Sequence, residues 1–505
     1  MPTTVTFDQI PAGELVPFAY FEVKPSPSPF SDSLKVLLIG NRMAGGAATN
    51  NVPYLLSGNE ANRLFGAGSM LAAMYRKAKM NAPYVEYWGI GLAPELGATA
   101  AAASILVSGD MLSSGAINVW IGGQKINVPV AKGDLAATVA GRIKDKINKL
   151  PTMPVTAAIQ SSHPARIDLT CKWLGASGNV IRVEYGTFGA YNQIANERLT
   201  IDIAGKLQGG VGQPQVSAAL FAIKEMDFDV IVAGPQTNSG MLDNLDAHYN
   251  EVSGRWSPSL QLYGHAITAA DDTVSNNVTL CASRNGPHVS MIPVTNTPSP
   301  PYEWAAAVGA IVGQHMGQPP ECSRPLQSLP ILGCEPSRNN ADWYSHDEKS
   351  ALLNAGVSAW DVMTDGSVRI SRIVTMRKTN DWGDPDGSWR NIETLFQNMF
   401  YTRSLRAYLT GTYGRCALTD KPTGIDGFTS PTELREGVIH HYQQMQDLGL
   451  VEHAEVFANV LVVERDALDA NRVNMKVPID VVNQLNVLAV GVESNLQYDA
   501  SLLAA

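Results

Sequence analysis

The stretch Lys24-Pro25-Ser26-Pro27-Ser28-Pro29 divides the chain before anything else can be read. Each proline fixes φ and removes a backbone N–H, so this segment forms neither helix nor central strand and reads as a stiff, extended spacer. Residues 1–24 before it alternate apolar and polar side chains, with Val5, Phe7 and Ile10 on one pattern and Val16, Phe18 and Tyr20 on a second. An apolar extended arm on such a spacer cannot bury itself locally. It packs either on its own distant core or on another subunit.

Beyond the spacer, Leu34–Ile39 reads as a buried strand closed by Gly40. A helix is predicted over 59–80, a strand over 84–90, a second strand and turn at 228–234, and a helix at 239–252. Strands alternating with helices imply an α/β core with parallel pairing. The intervening 93–204 has another texture: short strands at 116–121, 124–130, 166–171, 179–185 and 198–203, and one helix over 134–149. Asp134 is the expected N-cap there, and Leu135, Val139, Ile143 and Ile147 make one apolar face. After 300 the chain turns proline-rich. Two strands are predicted within 358–377 about the turn at 364–367, then helices over 388–410 and 431–448. The second of these opens with Ser430 as cap, Pro431 at the first position and Glu433 closing a capping box. A hairpin over 459–464 and 472–477 and a strand-like end at 485–498 follow. The expected fold is a multidomain α+β or α/β protein, and 505 residues suit about three domains. An N-terminal arm (1–24) precedes a discontinuous α/β core (25–92 and 205–365) that carries an inserted β-rich domain (93–204). A C-terminal α+β domain (366–484) and a C-terminal arm (485–505) complete it.

Charge excludes one broad class of partner. With 37 basic against 47 acidic residues, a net charge of −10 and no basic run, no direct nucleic-acid contact is expected. The best apolar run, 304–312, is half the length of a membrane span, and the first residues lack the basic and apolar regions of a secretory signal. The five scattered cysteines read as buried free thiols. Gly40–Ala47 looks like a phosphate loop, but Gly46 and Ala47 stand where lysine and a hydroxyl residue are needed, leaving a tight strand-to-helix turn. Residues 382–393 place Asp384, Asp386, Gly387 and Glu393 in the rhythm of a calcium loop, but Trp382 holds the first ligand position. His440 and His441 diverge on a helix, and His453 and Glu455 have no third ligand near them. No catalytic, metal or cofactor residue is assigned, so no cofactor is expected.

What remains is a chain with unusual ends. Only 17% of its residues are charged, against about 25% in an average soluble protein, which favours wide protein contact. The C-terminal stretch holds Val487, Leu488, Val490, Val492, Leu496 and Tyr498. The hairpin carrying Val460, Val462, Val473, Met475 and Val477 is marginal by itself. Two tails and one short hairpin fit strand addition between neighbours. The alternative is that both tails pack on their own chain.

Several segments in order carry a family resemblance. They are VTFDQIPAGELVPFAYFEV near the start, RWSPSLQLYGHAITA (255–269), SRNGPHVS (283–290), EWAAAVGA (303–310) and RPLQSLPILG (324–333). LLNAGVS (352–358), DGSVRISRIVT (365–375), WRNIETL (389–395), LVVERD (461–466) and PIDVVNQLNVLA (478–489) complete the series. On these the chain resembles the contractile tail sheath proteins of bacteriophages, in the Mu-like branch. It departs at Thr375-Met376 and in the tail beyond Tyr498. The resemblance implies hexameric rings stacked helically around a tail tube, terminal arms that add strands to a neighbour's C-terminal domain, and contraction that drives the tube through the host envelope. It implies copies of itself, the tail tube protein and the baseplate and tail terminator proteins as partners, in a virion tail assembled in the host cytoplasm. The insertion would face outward and 366–484 inward. Glu433, Arg435, Glu436, His440 and Asp447 on the 431–448 helix would face the tube, or else form a solvated face. Two other readings are open: the sheath of a phage-derived bacteriocin or injection device, and an α/β enzyme with an inserted lid.

Overall fold

Lys35–Asn41 (β1) is apolar on both sides, and the fold buries it at the middle of a six-stranded sheet. A computed structural model describes residues 34–185, 200–203, 205–235 and 237–494. The glycine-rich turn after β1 leads not to a helix but to a second strand, Pro53–Leu56 (β2), because Met43 and Ala48 donate backbone bonds to Phe65 and Leu64. Helices Glu60–Phe65 (α1) and Met70–Asn81 (α2) then precede strand Glu86–Leu92 (β3). The single helix predicted over 59–80 is therefore two. Gly66 takes φ +89°, and the Ser69 side chain caps the new start by accepting from the Ala72 N–H.

The chain next builds Ala102–Ser108 (β4), Gly115–Ile121 (β5), Gln124–Val130 (β6), Ala136–Lys149 (α3), Val155–Gln160 (β7), His163–Cys171 (β8), Val183–Tyr185 (β9) and Thr200–Ile203 (β10). They form an antiparallel sheet in the order β10-β4-β8-β7 and a smaller one, β6-β5-β9. β4 and β7 escaped prediction because AASILVS and VTAAIQ are too alanine-rich to alternate clearly. Val139, Ile143 and Ile147 of α3 are buried, whereas Leu135 is the exposed N-cap residue. Asp134 does not cap the helix: it accepts from the Ala131 N–H at 2.6 Å and pairs with Arg142.

Returning, the chain forms Val216–Ala222 (α4), Val230–Ala233 (β11), Ser239–Tyr249 (α5), His265–Asp271 (β12), Val274–Ala282 (α6), Val289–Val294 (β13) and Pro301–His315 (α7). The central sheet runs β13-β12-β11-β1-β3-β2, parallel throughout except for β2 on β3. A parallel sheet needs cover on both faces. Val36 and Leu38 pack with α2 and α7, in an apolar cluster that continues into Ile105, Val119 and Ile143 of the insertion. Leu37 and Ile39 pack on the opposite side with Leu220, Leu242 and Leu245 of α4 and α5.

The proline-rich text near 300 conceals α7. Pro301 sits in its first turn, where a missing N–H costs nothing, and every residue from Pro301 to Gly313 is buried. Gly309 and Gly313 face the sheet: a Cβ on Gly309 would land inside Val232 Cγ2, and one on Gly313 would lie 2.5 Å from Val36 Cγ2. Helix His346–Asn354 (α8), opened by a reciprocal Ser345/Glu348 capping box, leads to the hairpin Ala359–Val362 (β14) and Val368–Arg372 (β15). The C-terminal part comprises Ile392–Tyr413 (α9), Ala417–Leu418 (β16), Phe428–Thr429 (β17), Pro431–Asp447 (α10), Ala454–Val460 (α11), Val462–Arg465 (β18) and Val473–Lys476 (β19).

Gly309→Val should lower unfolding stability by about 1–3 kcal/mol or more, since the helix must lift off the sheet. Gly141→Ala in α3, where a Cβ meets nothing within 4 Å, should be neutral or stabilising by up to about 1 kcal/mol. Urea denaturation of the two variants side by side checks the contrast.

Candidate assembly surface

The C-terminal part meets the core through apolar packing of Ile392, Phe396 and Met399 of α9 and through directional polar contacts. Arg255 is fully buried and gives its guanidinium to backbone carbonyls: Tyr263 (3.0 Å), Met226 (2.7 Å) and Phe228 (2.8 Å). Trp256 beside it stacks on His288 at 4.5 Å, and His288 bonds Glu251 at 2.8 Å. His265 meets Ser290 at 2.8 Å, and the Ser290 hydroxyl donates to the Val374 carbonyl at 2.8 Å. Arg403 of α9 pairs with buried Asp229 at 2.7 Å. The segments 255–269, 283–290 and 365–375, far apart in sequence, thus meet at one joint. Burial pushes the pKa of both His265 and His288 down, so the joint holds neutral imidazoles.

Within the C-terminal part, α10 packs on α9 where Gly437 leaves room for the Tyr413 and Tyr408 hydroxyls. His441 points inward, stacks on Tyr408 at 5.2 Å and meets the Ser404 hydroxyl at 3.3 Å. Burial lowers its pKa to about 4. The five residues expected to face a tube divide. Glu436, His440 and Asp447 are exposed. Glu433 serves the helix start, where Ser430 accepts from its N–H and donates to its carboxylate, in place of the predicted reciprocal box. Arg435 reaches the Ala458 carbonyl and ties α10 to α11.

β18 and β19 pair only with each other, from Val462↔Lys476 to Arg465↔Val473, so among the described residues neither outer edge has a partner. Val462, Val473 and Met475 lie in the two strands. Val460 does not: it ends α11 and is 48% exposed, because the helix begun at Ala454 runs on to it. Val477 follows β19 outside regular structure. The chain then returns along α9 to α11. Glu452 N–H donates to the Asp480 carbonyl (2.8 Å), Val482 N–H to Leu450 (3.1 Å), and Gln397 bonds both the Val482 carbonyl (2.9 Å) and Gln484 (3.1 Å). After Gln484 the anchoring stops. Residues 485–494 form no strand, against expectation, and Leu485, Val487, Leu488, Val490 and Val492 are 70–86% exposed. Leu496, Tyr498 and the N-terminal Val5, Phe7, Ile10, Val16 and Phe18 lie outside the described residues.

The motifs weighed for chemistry are occupied by structural work. Asp386 accepts from the Ser388 N–H and pairs with Arg377, while Glu393 is buried and accepts from the Leu326 N–H, so the 382–393 carboxylates do not converge. His453 bonds Asp480 at 2.8 Å, and no metal-holding cluster occurs among the described residues. Four cysteines are buried, but Cys416 is half-exposed. No described helix is long and apolar enough to cross a membrane.

Among the described residues, the mixed α/β body leaves a two-stranded ribbon and an apolar tail unpaired. The phage tail sheath protein central domain matches residues 209–376, and the phage tail sheath C-terminal domain matches 384–495. The chain belongs to the phage tail sheath family. A Mu-like prophage tail sheath protein of Haemophilus influenzae is 28% identical over 495 residues, covering 96% of this chain and 98% of that one. Among solved structures, the sheath tail protein of Desulfitobacterium hafniense is 13% identical, with 92% of this chain and 97% of that one covered and a TM-score of 0.49. The contracted helical sheath of the anti-feeding prophage is 10% identical, with 96% and 100% covered and a TM-score of 0.42.

His441 is neutral in the fold, whereas in the unfolded chain it binds a proton below about pH 6.5. Stability should therefore fall as pH drops from 6.5 toward 4. His441→Asn should flatten that slope, read as the shift of the urea midpoint with pH against the parent chain.

Proposed function

We propose that this chain is the repeating subunit of a contractile phage tail sheath: hexameric rings stack helically around a tail tube, and contraction drives the tube through the host envelope. The observation that carries this reading is the open-edged ribbon β18–β19 close in sequence to an exposed, alternating apolar tail. Strand addition resolves both deficits at once, because the tail of one copy supplies the backbone donors and acceptors that the ribbon of another lacks. Four to six such bonds contribute roughly 0.5–1.5 kcal/mol each, to which burial of the valines and leucines adds. The N-terminal arm (1–24) is assigned the same linking role. The insertion 93–204 faces outward and the C-terminal region 366–484 inward, with Glu436, His440 and Asp447 offering exposed polar contacts of about 0–1 kcal/mol each to the tube. Weak contacts suit a surface along which a sheath must slide. The partners are copies of this chain, the tube protein, and the baseplate and terminator proteins of a virion tail assembled in the host cytoplasm.

The purified full chain should form tubes or ring stacks in negative-stain microscopy. Deleting 485–505 should abolish them while leaving a cooperative melt at an unchanged temperature. A full chain that stays monomeric at high concentration with intact ends would overturn the proposal.

A further inference from the structure

Two histidines stand between the core and the stretch that runs from Val374 into α9. His265 opens β12, His288 immediately precedes β13, and both rings are buried. Their tautomers follow from their partners. The Ser290 hydroxyl gives its single hydrogen to the Val374 carbonyl (2.8 Å), so toward His265 it can only accept, and His265 carries its proton on Nε2. His288 Nε2 lies 2.8 Å from the Glu251 carboxylate, which has no hydrogen to give, so His288 is also protonated on Nε2. The Nδ1 atoms of both rings are buried without a hydrogen-bond partner. A second proton on either ring would create a charged N–H with nothing to receive it, out of reach of water.

The groups that face the two rings give a second proton no acceptor. Around His265 they are Ser290 of β13, the Phe396 ring of α9 at 6.3 Å, and the Asp229 carbonyl, which accepts from the His265 backbone N–H at 2.8 Å. The Asp229 carboxylate is taken by Arg403 (2.7 Å) and by the Lys35 N–H (2.7 Å). Around His288 they are Trp256, stacked at 4.5 Å, Trp389 at 6.0 Å, Tyr249 at 6.3 Å with His248 on it, and Glu251, which Arg377 also draws. Glu393, the buried acid of α9, accepts from the Leu326 N–H at 3.0 Å instead. Burial, and then repulsion from His288, hold the pKa of His265 well below its ordinary value, and at His288 burial outweighs the opposing pull of Glu251.

We infer that this joint is an acid-sensitive latch: acid favours a locally open state in which the stretch 374–396 lifts from β12 and β13 and both imidazoles take up a proton on Nδ1. An imidazole released into water binds its proton below about pH 6.5. With two protons bound in the open state and none in the closed one, the open population should rise about a hundredfold per pH unit below about pH 6. The latch belongs to the single chain and stands or falls apart from the sheath reading. Hydrogen exchange of the full chain, read by mass spectrometry and corrected for the intrinsic rate at each pH, tests it. The probes are the amides of Leu326 and Val374, whose acceptors, the Glu393 carboxylate and the Ser358 hydroxyl (3.2 Å), lie across the joint. Both should open more often than the amides of α3, and between pH 6 and pH 5 their opening should rise about a hundredfold. His265→Gln and His288→Gln each keep a side-chain N–H for Ser290 or Glu251 without a titrating ring, and each alone should cut the rise to about tenfold. Joint amides in the parent chain that open no more often than those of α3, or that show no rise with acid, would overturn the latch. So would folded single variants that keep the full hundredfold rise.

Discussion

The structure depends on how closely α7 lies on the central sheet. Gly309 and Gly313, one turn apart, remove the side chains that would hold the helix away from Val232 and Val36. With the helix that deep, each of its ends becomes a reference point for another part of the molecule. Tyr302 meets Trp173 of the insertion at 6.1 Å, and Glu303 takes Lys77 of α2 at 3.1 Å. Trp304 packs on Trp360 of β14 at 4.6 Å, and His315 holds Glu321 at 2.9 Å. The insertion, the β14–β15 hairpin and the segment after α7 are thus positioned by one buried helix.

The joint to the C-terminal part adds directional bonds to the apolar packing of Ile392, Phe396 and Met399. Apolar packing tolerates small rotations, but a guanidinium spread over several carbonyls does not, since each bond has a direction. Arg255 fixes the turns leading into β11 and β12, and Arg403 then reaches from α9 to Asp229 at the mouth of β11. Burial raises the pKa of Asp229 and the facing Arg403 opposes that, so the pair is stable only while both partners stay in place. The orientation of α9 is thus set by directional bonds added to the apolar packing of Ile392, Phe396 and Met399 on the core.

Most of this was legible where the pattern was local. Leu34–Ile39 announced its strand by an unbroken apolar run, and Ser430-Pro431 announced α10 by its cap. α7 was hidden because a helix buried all round has no polar face to set a period, and prolines on either side suggested loop. β12 and β13 are not legible in HAITAAD and VSMIPV, although almost every residue is buried, since short apolar runs do not declare their type. On the assembly surface the hairpin is legible but not the point where α11 ends, so Val460 belongs to the helix and not to the hairpin. The joint was invisible as chemistry. Arg255, His288 and Ser290 stood inside segments singled out only by resemblance, and what unites them is distance in space.

The tail shows why one copy is incomplete. Up to Gln484 the returning chain is held by Gln397 and by backbone bonds to Leu450 and Glu452. From Leu485 the side chains are as apolar as those of a buried strand, yet they lie in solvent. The ribbon shows the inverse deficit, with backbone edges that need partners and only two strands to supply them. In the proposed assembly each copy offers what another lacks, and the remedy repeats from copy to copy without closing. The five apolar side chains from Leu485 to Val492 are exposed, so a link made by backbone pairing would not fix the angle between the joined bodies through them. A lattice linked in this way can change the rotation between its subunits while keeping every link, which is what a contracting sheath requires.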